Sequence, residues 1–239
     1  MREDPPIWPG VRLERTPSIV RVVGEECNVL FSRLDASTAD AEVAAQAEFF
    51  RRNGHEVEWK LYGHDQPPDL PAILQRHGFV PDPPETLVAL DLQEVADWGE
   101  PPKGLDIRRV LTPADLKTAI DVSERAFRPG PGWGGFDFAP MLADPSFAAF
   151  VAYVDGVPVA SGRAHFPSGK QFASLWGGGT DPAYRGRGVY RALVAARAEL
   201  ARERGFRFLT VDALETSRPI LERVGFRALT STTGYILRP

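Results

Sequence analysis

The segment Leu175-Trp176-Gly177-Gly178-Gly179-Thr180-Asp181-Pro182-Ala183-Tyr184-Arg185-Gly186-Arg187-Gly188-Val189-Tyr190 holds the residues whose types and order could do chemistry. It leads from a β-rich run into the most regular helical pattern of the chain. Three successive glycines at a strand end lower stability and mark a bulge or the close approach of another backbone or a ligand. Arg-Gly-Arg-Gly follows at a helix start, where unpaired N–H groups and the positive end of the helix dipole attract anions. Gly186 and Gly188 let the main chain approach phosphate oxygens, and Arg185 and Arg187 add fixed positive charge. These are the physical requirements of a pyrophosphate cradle. Two nucleotide patterns fail here: no Gly-Lys-Ser or Gly-Lys-Thr exists for a P-loop, and Arg191 stands where a dinucleotide fingerprint begun at Gly186 needs a small residue.

The surrounding pattern supplies elements to hold this segment. A short strand is expected over 105–110, then a helix opened by Thr112 as N-cap and Pro113 at its first position, running to about Phe127. Residues 128–138, rich in glycine and proline, read as irregular. Strands over 147–154 and 157–166 flank the hairpin signal Asp155-Gly156, and a third strand is expected over 171–178. The helix over 189–204 places Val189, Leu193, Ala196 and Leu200 on one face and stops at Gly205. A strand over 206–213, a helix ending at Val224 and a strand over 230–237 complete the chain. A hairpin followed by strand–helix–strand makes a mixed, mostly antiparallel sheet flanked by helices, in the α/β or α+β class.

Organisation along the chain follows from its breakers. Gly99-Glu100-Pro101-Pro102-Lys103-Gly104 reads as a linker, giving domains over 1–98 and 105–239 with 99–104 between them. The halves share a weak repeat. Arg52-Asn53-Gly54-His55-Glu56-Val57 and Arg204-Gly205-Phe206-Arg207-Phe208 are each a helix end followed by a strand. Proline-started helices then close on Gly78-Phe79 and on Gly225-Phe226, with identical spacing from Ile73 and from Ile220. Two related halves are therefore expected.

The glycine segment resembles the acetyl-CoA signature of the GNAT superfamily of N-acetyltransferases, Gln/Arg-x-x-Gly-x-Gly/Ala, as Arg185-Gly186-Arg187-Gly188-Val189-Tyr190. Asp181-Pro182-Ala183-Tyr184 before it, Leu193-Val194 and Gly205 after it, and the later Gly225-Phe226 follow the same family order, so the resemblance covers 105–239. It implies the GNAT acyl-CoA acyltransferase fold, with residues 1–98 a degenerate copy that lacks the glycine loop. It implies further that main-chain N–H groups from Arg185 to Tyr190, including Val189, hold the CoA pyrophosphate. Gly178, Gly179 and Thr180 would pair with the pantetheine arm, and an N–H there would polarise the thioester carbonyl. An amine would attack directly in a ternary complex. Departures from the family pattern are specific. Tyr190 replaces a small residue. Leu221 stands five residues before Phe226, where relatives often carry a proton-donating tyrosine. No carboxylate lies at Gly177 or Gly178, where a base often sits.

Candidate catalytic groups are therefore Asp212 and Glu215, just after a strand at the expected cleft, and His165, whose ordinary pKa lies near neutrality. Each also has a bland reading, as a cap, a solvated carboxylate or a cross-strand histidine. Trp133, Phe136 and Phe138 could wall the acceptor pocket or pin the loop to the core. The histidines show no metal-ligand spacing and the one cysteine, Cys27, makes a cysteine-only site impossible, so no metal is expected. The other composition figures act as exclusions. The chain has 239 residues, 43% hydrophobic and 25% charged, which excludes a disordered or fibrous chain. A net charge of −4 gives no pull toward nucleic acid. No run approaches a membrane span, and the charged, proline-rich start does not read as a signal peptide, so a cytoplasmic protein, monomer or homodimer, is expected. The leading expectation is transfer of an acetyl group from acetyl-CoA to a small-molecule or peptide amine. The alternative is a non-catalytic acyl-CoA-binding or interaction module of the same fold.

Overall fold

The computed structural model describes every residue except 1, 6–9, 25, 95–97, 129, 131–132 and 134–137. Its elements are β1 (Val11–Arg15), β2 (Ile19–Gly24), β3 (Asn28–Ser32), α1 (Ala39–Arg52), β4 (Val57–Tyr62), α2 (Leu70–Arg76), β5 (Val80–Pro81), β6 (Glu85–Asp91), β7 (Leu105–Arg109), α3 (Pro113–Phe127), β8 (Phe147–Val154), β9 (Val157–His165), β10 (Phe172–Thr180), α4 (Val189–Glu203), β11 (Phe208–Ala213), α5 (Arg218–Arg223) and β12 (Arg227–Leu237). The sheet is mixed and mostly antiparallel with helices against it, in the expected class. Two compact units divide the chain. One comprises residues 1–87 and 229–239, the other 88–228.

In the first unit β1, β2 and β3 are antiparallel neighbours, β3 runs parallel to β4, and β12 pairs antiparallel with β4. Alternation along β4 turns Val57, Trp59 and Leu61 into the core, as a strand with one covered face requires. Trp59 meets Phe79 edge to face at 6.0 Å, and Val43, Ala47 and Phe50 of α1 close over them.

In the second unit β7, β8, β9 and β10 form an antiparallel series, and β10 then runs parallel to β11. The β8–β9 turn is built as the sequence predicts: Asp155 and Gly156 both adopt positive φ (50° and 81°), the combination a two-residue hairpin needs. Thr112 caps α3 and forms a reciprocal capping box with Asp115, and Pro113 occupies the first turn. The inward face of α4 differs from the expected one. Its buried residues are Val189, Leu193, Val194, Arg197, Ala198 and Ala201, whereas Ala196 and Leu200 are only partly covered. The helix is turned so that an arginine enters the core.

The division of the chain also differs from a break at 99–104 with a second half running to residue 239. Residues 232–237 of β12 pair one to one with 57–62 of β4, so the C-terminal strand belongs to the first unit. Val88, Leu90 and Leu92 lie in the core of the second unit, which moves the earlier boundary back to residue 87. The Gly-Pro-rich stretch is laid against α4 within that unit, where Arg191 donates to the Glu100 carbonyl at 3.0 Å.

Leu193 is fully buried where α4 meets the sheet. Leu193→Ala is expected to lower unfolding free energy by about 2–5 kcal/mol, read from the shift in urea midpoint at constant m-value.

Candidate active site

The parallel pairing of β10 with β11 joins Phe172–Ser174 to Phe208–Thr210 and goes no further. Both strands continue, β10 to Thr180 and β11 to Ala213, so a cleft opens between them. The cause lies in β10. Between Trp176 and Gly179 its register against β9 slips, Gly177 and Gly178 standing opposite Gly162 alone. This β-bulge turns the strand and increases its local twist.

The glycine run is strand rather than loop, and packing explains each member. A Cβ on Gly177, which has φ +53°, would strike Trp133 Nε1. A Cβ on Gly178 would lie 3.1 Å from Arg197 and 3.2 Å from the Tyr190 ring, both on α4. On Gly179 it would lie 2.8 Å from Ala126 and Phe127, both on α3. Successive residues of a strand point to opposite faces, so α3 and α4 cover opposite faces of β10.

At the mouth of the cleft stands the start of α4. Gly188 is its N-cap in the left-handed conformation (φ 82°), and no side chain caps the first-turn N–H groups. Gly186 also has positive φ (74°), and a Cβ there would meet nothing within 4 Å. The main chain between them is thus uncovered beside donors that a helix leaves unpaired. Arg185 does not contribute free charge to this mouth. Its Nε donates to the Thr180 carbonyl at 3.1 Å and its Nη2 to the Ala126 carbonyl at 2.7 Å, tying the end of β10 to the end of α3. The Arg187 guanidinium lies over the Tyr184 ring at 5.1 Å. Thr180 is buried at the end of β10. Val189 is buried in the core, so only its backbone can face a ligand.

The candidate catalytic residues are not brought together. His165 pairs with Ser174 on β10, four residues along β9 from the Ser161 that pairs with Gly179, or about 13 Å at strand rise. It is buried and stacked on Phe147 at 4.4 Å. Burial holds its pKa below the ordinary histidine value, partly offset by the negative charge of Asp144. Asp212 is half-buried on β11, two residues past the last pair with β10, and Glu215 is exposed beyond the strand end. Trp133 and Phe138 are core residues, 1% and 3% exposed, packed edge to face at 5.7 Å, and Trp133 donates to the Gly177 carbonyl at 3.0 Å. With Arg109, Met141, Phe147 and Arg163 they line a recess of about 150 Å³. Phe136 lies outside the described residues. No group of metal-ligating side chains occurs among the described residues, and no described helix is long and apolar enough to cross a membrane.

Sequence reasoning missed Arg197. It is 1% exposed and packs beside Tyr190, whose phenol lies near the Ser217 side chain. The signal was present: Arg197 follows Leu193 by four and Val189 by eight, a charge in line with the apolar stripe.

Residues 117–226 match the acetyltransferase (GNAT) family. That match covers a little under half of the chain. A GCN5-related N-acetyltransferase from Kribbella flavida has the same fold, with TM-score 0.74 at 18% identity over 96% of this chain and 90% of that one. A tandem GNAT protein from the clavulanic acid biosynthesis pathway gives TM-score 0.66 at 16% identity over 96% and 84%. A 48-residue stretch is 42% identical to glucosamine 6-phosphate N-acetyltransferase of Trypanosoma brucei brucei, spanning 20% of this chain and a third of that protein (33%).

The histidine gives a pH prediction. With its folded pKa below the unfolded value of 6.5, the unfolded state takes up the proton first. Stability is complete above about pH 6.5 and falls as acid drives the pH down through the folded pKa. His165→Gln is expected to flatten that part of the stability–pH curve, measured by urea unfolding; an unchanged slope would place the acid sensitivity elsewhere.

Proposed function

We propose that this chain is an N-acetyltransferase that uses acetyl-CoA and passes the acetyl group to a primary amine within a ternary complex. The observation that carries the reading is the cleft where β10 leaves β11, with the uncapped glycine start of α4 at its mouth. A phosphate-bearing arm fits that shape. N–H groups from Arg185 to Tyr190 would bind the pyrophosphate through backbone rather than side-chain charge. The strand edge at Gly178, Gly179 and Thr180 would hydrogen-bond the pantetheine as a third strand would, and an N–H there would stabilise the oxyanion as the amine attacks.

Asp212 is the better base among the three candidates, because it stands on the β11 side of the opening while His165 is stacked away from it. The acceptor is a small-molecule or peptide amine, and the short likeness to a glucosamine-phosphate enzyme makes amino sugars the first class to try. A second reading, a non-catalytic acyl-CoA-binding module, is favoured by one observation: Leu221, in the position of the usual tyrosine acid, is wholly buried in the core. A cytoplasmic protein, monomeric or dimeric, accords with either.

The first unit is read as a degenerate copy of the second. In it β3 runs parallel to β4 across α1, as β10 runs parallel to β11 across α4. Gly54 and Gly205 follow the ends of α1 and α4 with φ of 67° and 79°. Gly78 and Gly225 follow α2 and α5 with φ of 91° and 100°. No glycine-started helix stands at the corresponding place in the first unit, since Thr38 precedes α1.

Calorimetric titration is expected to show acetyl-CoA binding at one site per chain. Gly188→Val places a branched side chain at a left-handed position over the exposed amides and should weaken binding by about tenfold or more. Undiminished affinity in a folded variant, checked by circular dichroism, would remove the cradle.

A further inference from the structure

Arg197 is a cation in the core of the second unit, and its surroundings do not neutralise it. Nε donates to the Leu193 carbonyl at 3.1 Å and Nη1 to the Arg163 carbonyl at 3.2 Å. Nη2 is buried and has no hydrogen-bond partner among the described residues. Burial pulls its pKa down to about 10, so the charge persists at neutral pH, and the titratable group acting on it is the phenol of Tyr190. A desolvated charge with one donor unmet is destabilising unless something else uses it.

Its direction indicates the use. Arg197 reaches from α4 under the strands, where a Cβ on Gly162 would lie 2.7 Å from Nη1 and one on Gly178 would lie 3.1 Å from Nη2. Tyr190 lies alongside, its ring 3.2 Å from where a Cβ on Gly178 would stand and its hydroxyl near the Ser217 side chain, beyond the end of β11. The phenol therefore spans from β10 to the segment after β11 across the opening between them. Burial holds its pKa above the ordinary tyrosine value, with Arg197 and Ser217 opposing, so it keeps its proton at neutral pH.

We infer that Tyr190 gives the proton to the leaving sulfur, with Arg197 and Ser217 as the residues that position it. This rests on reading the cleft as the acetyl-CoA site, in which the thioester lies at Gly178. The neutral amine forms a C–N bond to the thioester carbonyl carbon. The C–S bond then breaks with its electron pair on sulfur, the phenol O–H proton passes to sulfur, and free thiol leaves. The proton that nitrogen loses on becoming an amide returns to the phenolate through solvent, so one thiol and one amide form with no net proton change. A phenol is a weaker acid than a thiol. The transfer therefore needs a positive charge beside the developing phenolate, and Arg197 supplies it. The tyrosine at the end of the glycine motif thus takes the task that buried Leu221 cannot perform.

The test compares CoA with desulfo-CoA, which lacks the sulfur, on the whole protein. Wild type should bind CoA about fivefold or more tightly over desulfo-CoA, the worth of one hydrogen bond to sulfur. Tyr190→Phe should bring the two within about twofold, and Arg197→Met should reduce the preference in the same direction. With any amine that supports turnover, Tyr190→Phe should lower kcat about hundredfold or more. Equal binding of the two ligands by wild type overturns the inference without need of a variant. A preference that survives in Tyr190→Phe also overturns it. Binding of neither ligand to wild type would instead remove the acetyl-CoA site itself, and the inference with it.

Discussion

Side chains from both faces of the sheet press on the backbone of Gly177–Gly179, and that approach governs the second unit. Trp133 meets Gly177, α4 meets Gly178 and α3 meets Gly179, each at a distance that excludes or crowds a Cβ. Pressed in this way, β10 departs from a regular ladder on both edges. It bulges against β9 and abandons β11 after three pairs. The open edge that results is a row of backbone donors and acceptors, which a pantetheine-like arm can complete without any loop having to close.

The charge at this site is of two kinds. At the mouth it is carried by amides, since the first-turn N–H groups of α4 have no side-chain cap and Arg185 is spent in joining β10 to α3. Further in it is carried by Arg197, buried among carbonyls and a phenol. Amides suit a diphosphate that must be bound and released. A buried guanidinium suits charge that appears only during reaction, because a preformed cation needs no rearrangement when the sulfur or the phenolate turns negative.

Much of this was legible in the sequence because local rules and tertiary packing agree there. The Thr112 cap, the Asp155-Gly156 turn and the glycines of the motif are short-range signals with one physical solution each. Other features depend on partners distant in sequence. Arg185 looks like ligand charge until the Ala126 carbonyl is seen within reach, and the glycine run does not say which neighbours press on it until both helices are in place. The last strand reads as the end of the second half, yet its six-residue register belongs to β4. Arg197 is the instructive miss, since a charge on an apolar stripe is ordinarily discounted as a snorkelling surface residue.

On the proposed reading the parted strand edge and the glycine start of α4 form one binding surface. Amide hydrogen exchange with and without CoA measures that surface directly. Slowed exchange is expected at residues 178–180 and 186–191 together, with β1 to β3 unaffected. Protection confined to other segments, or none at saturating ligand, would contradict it.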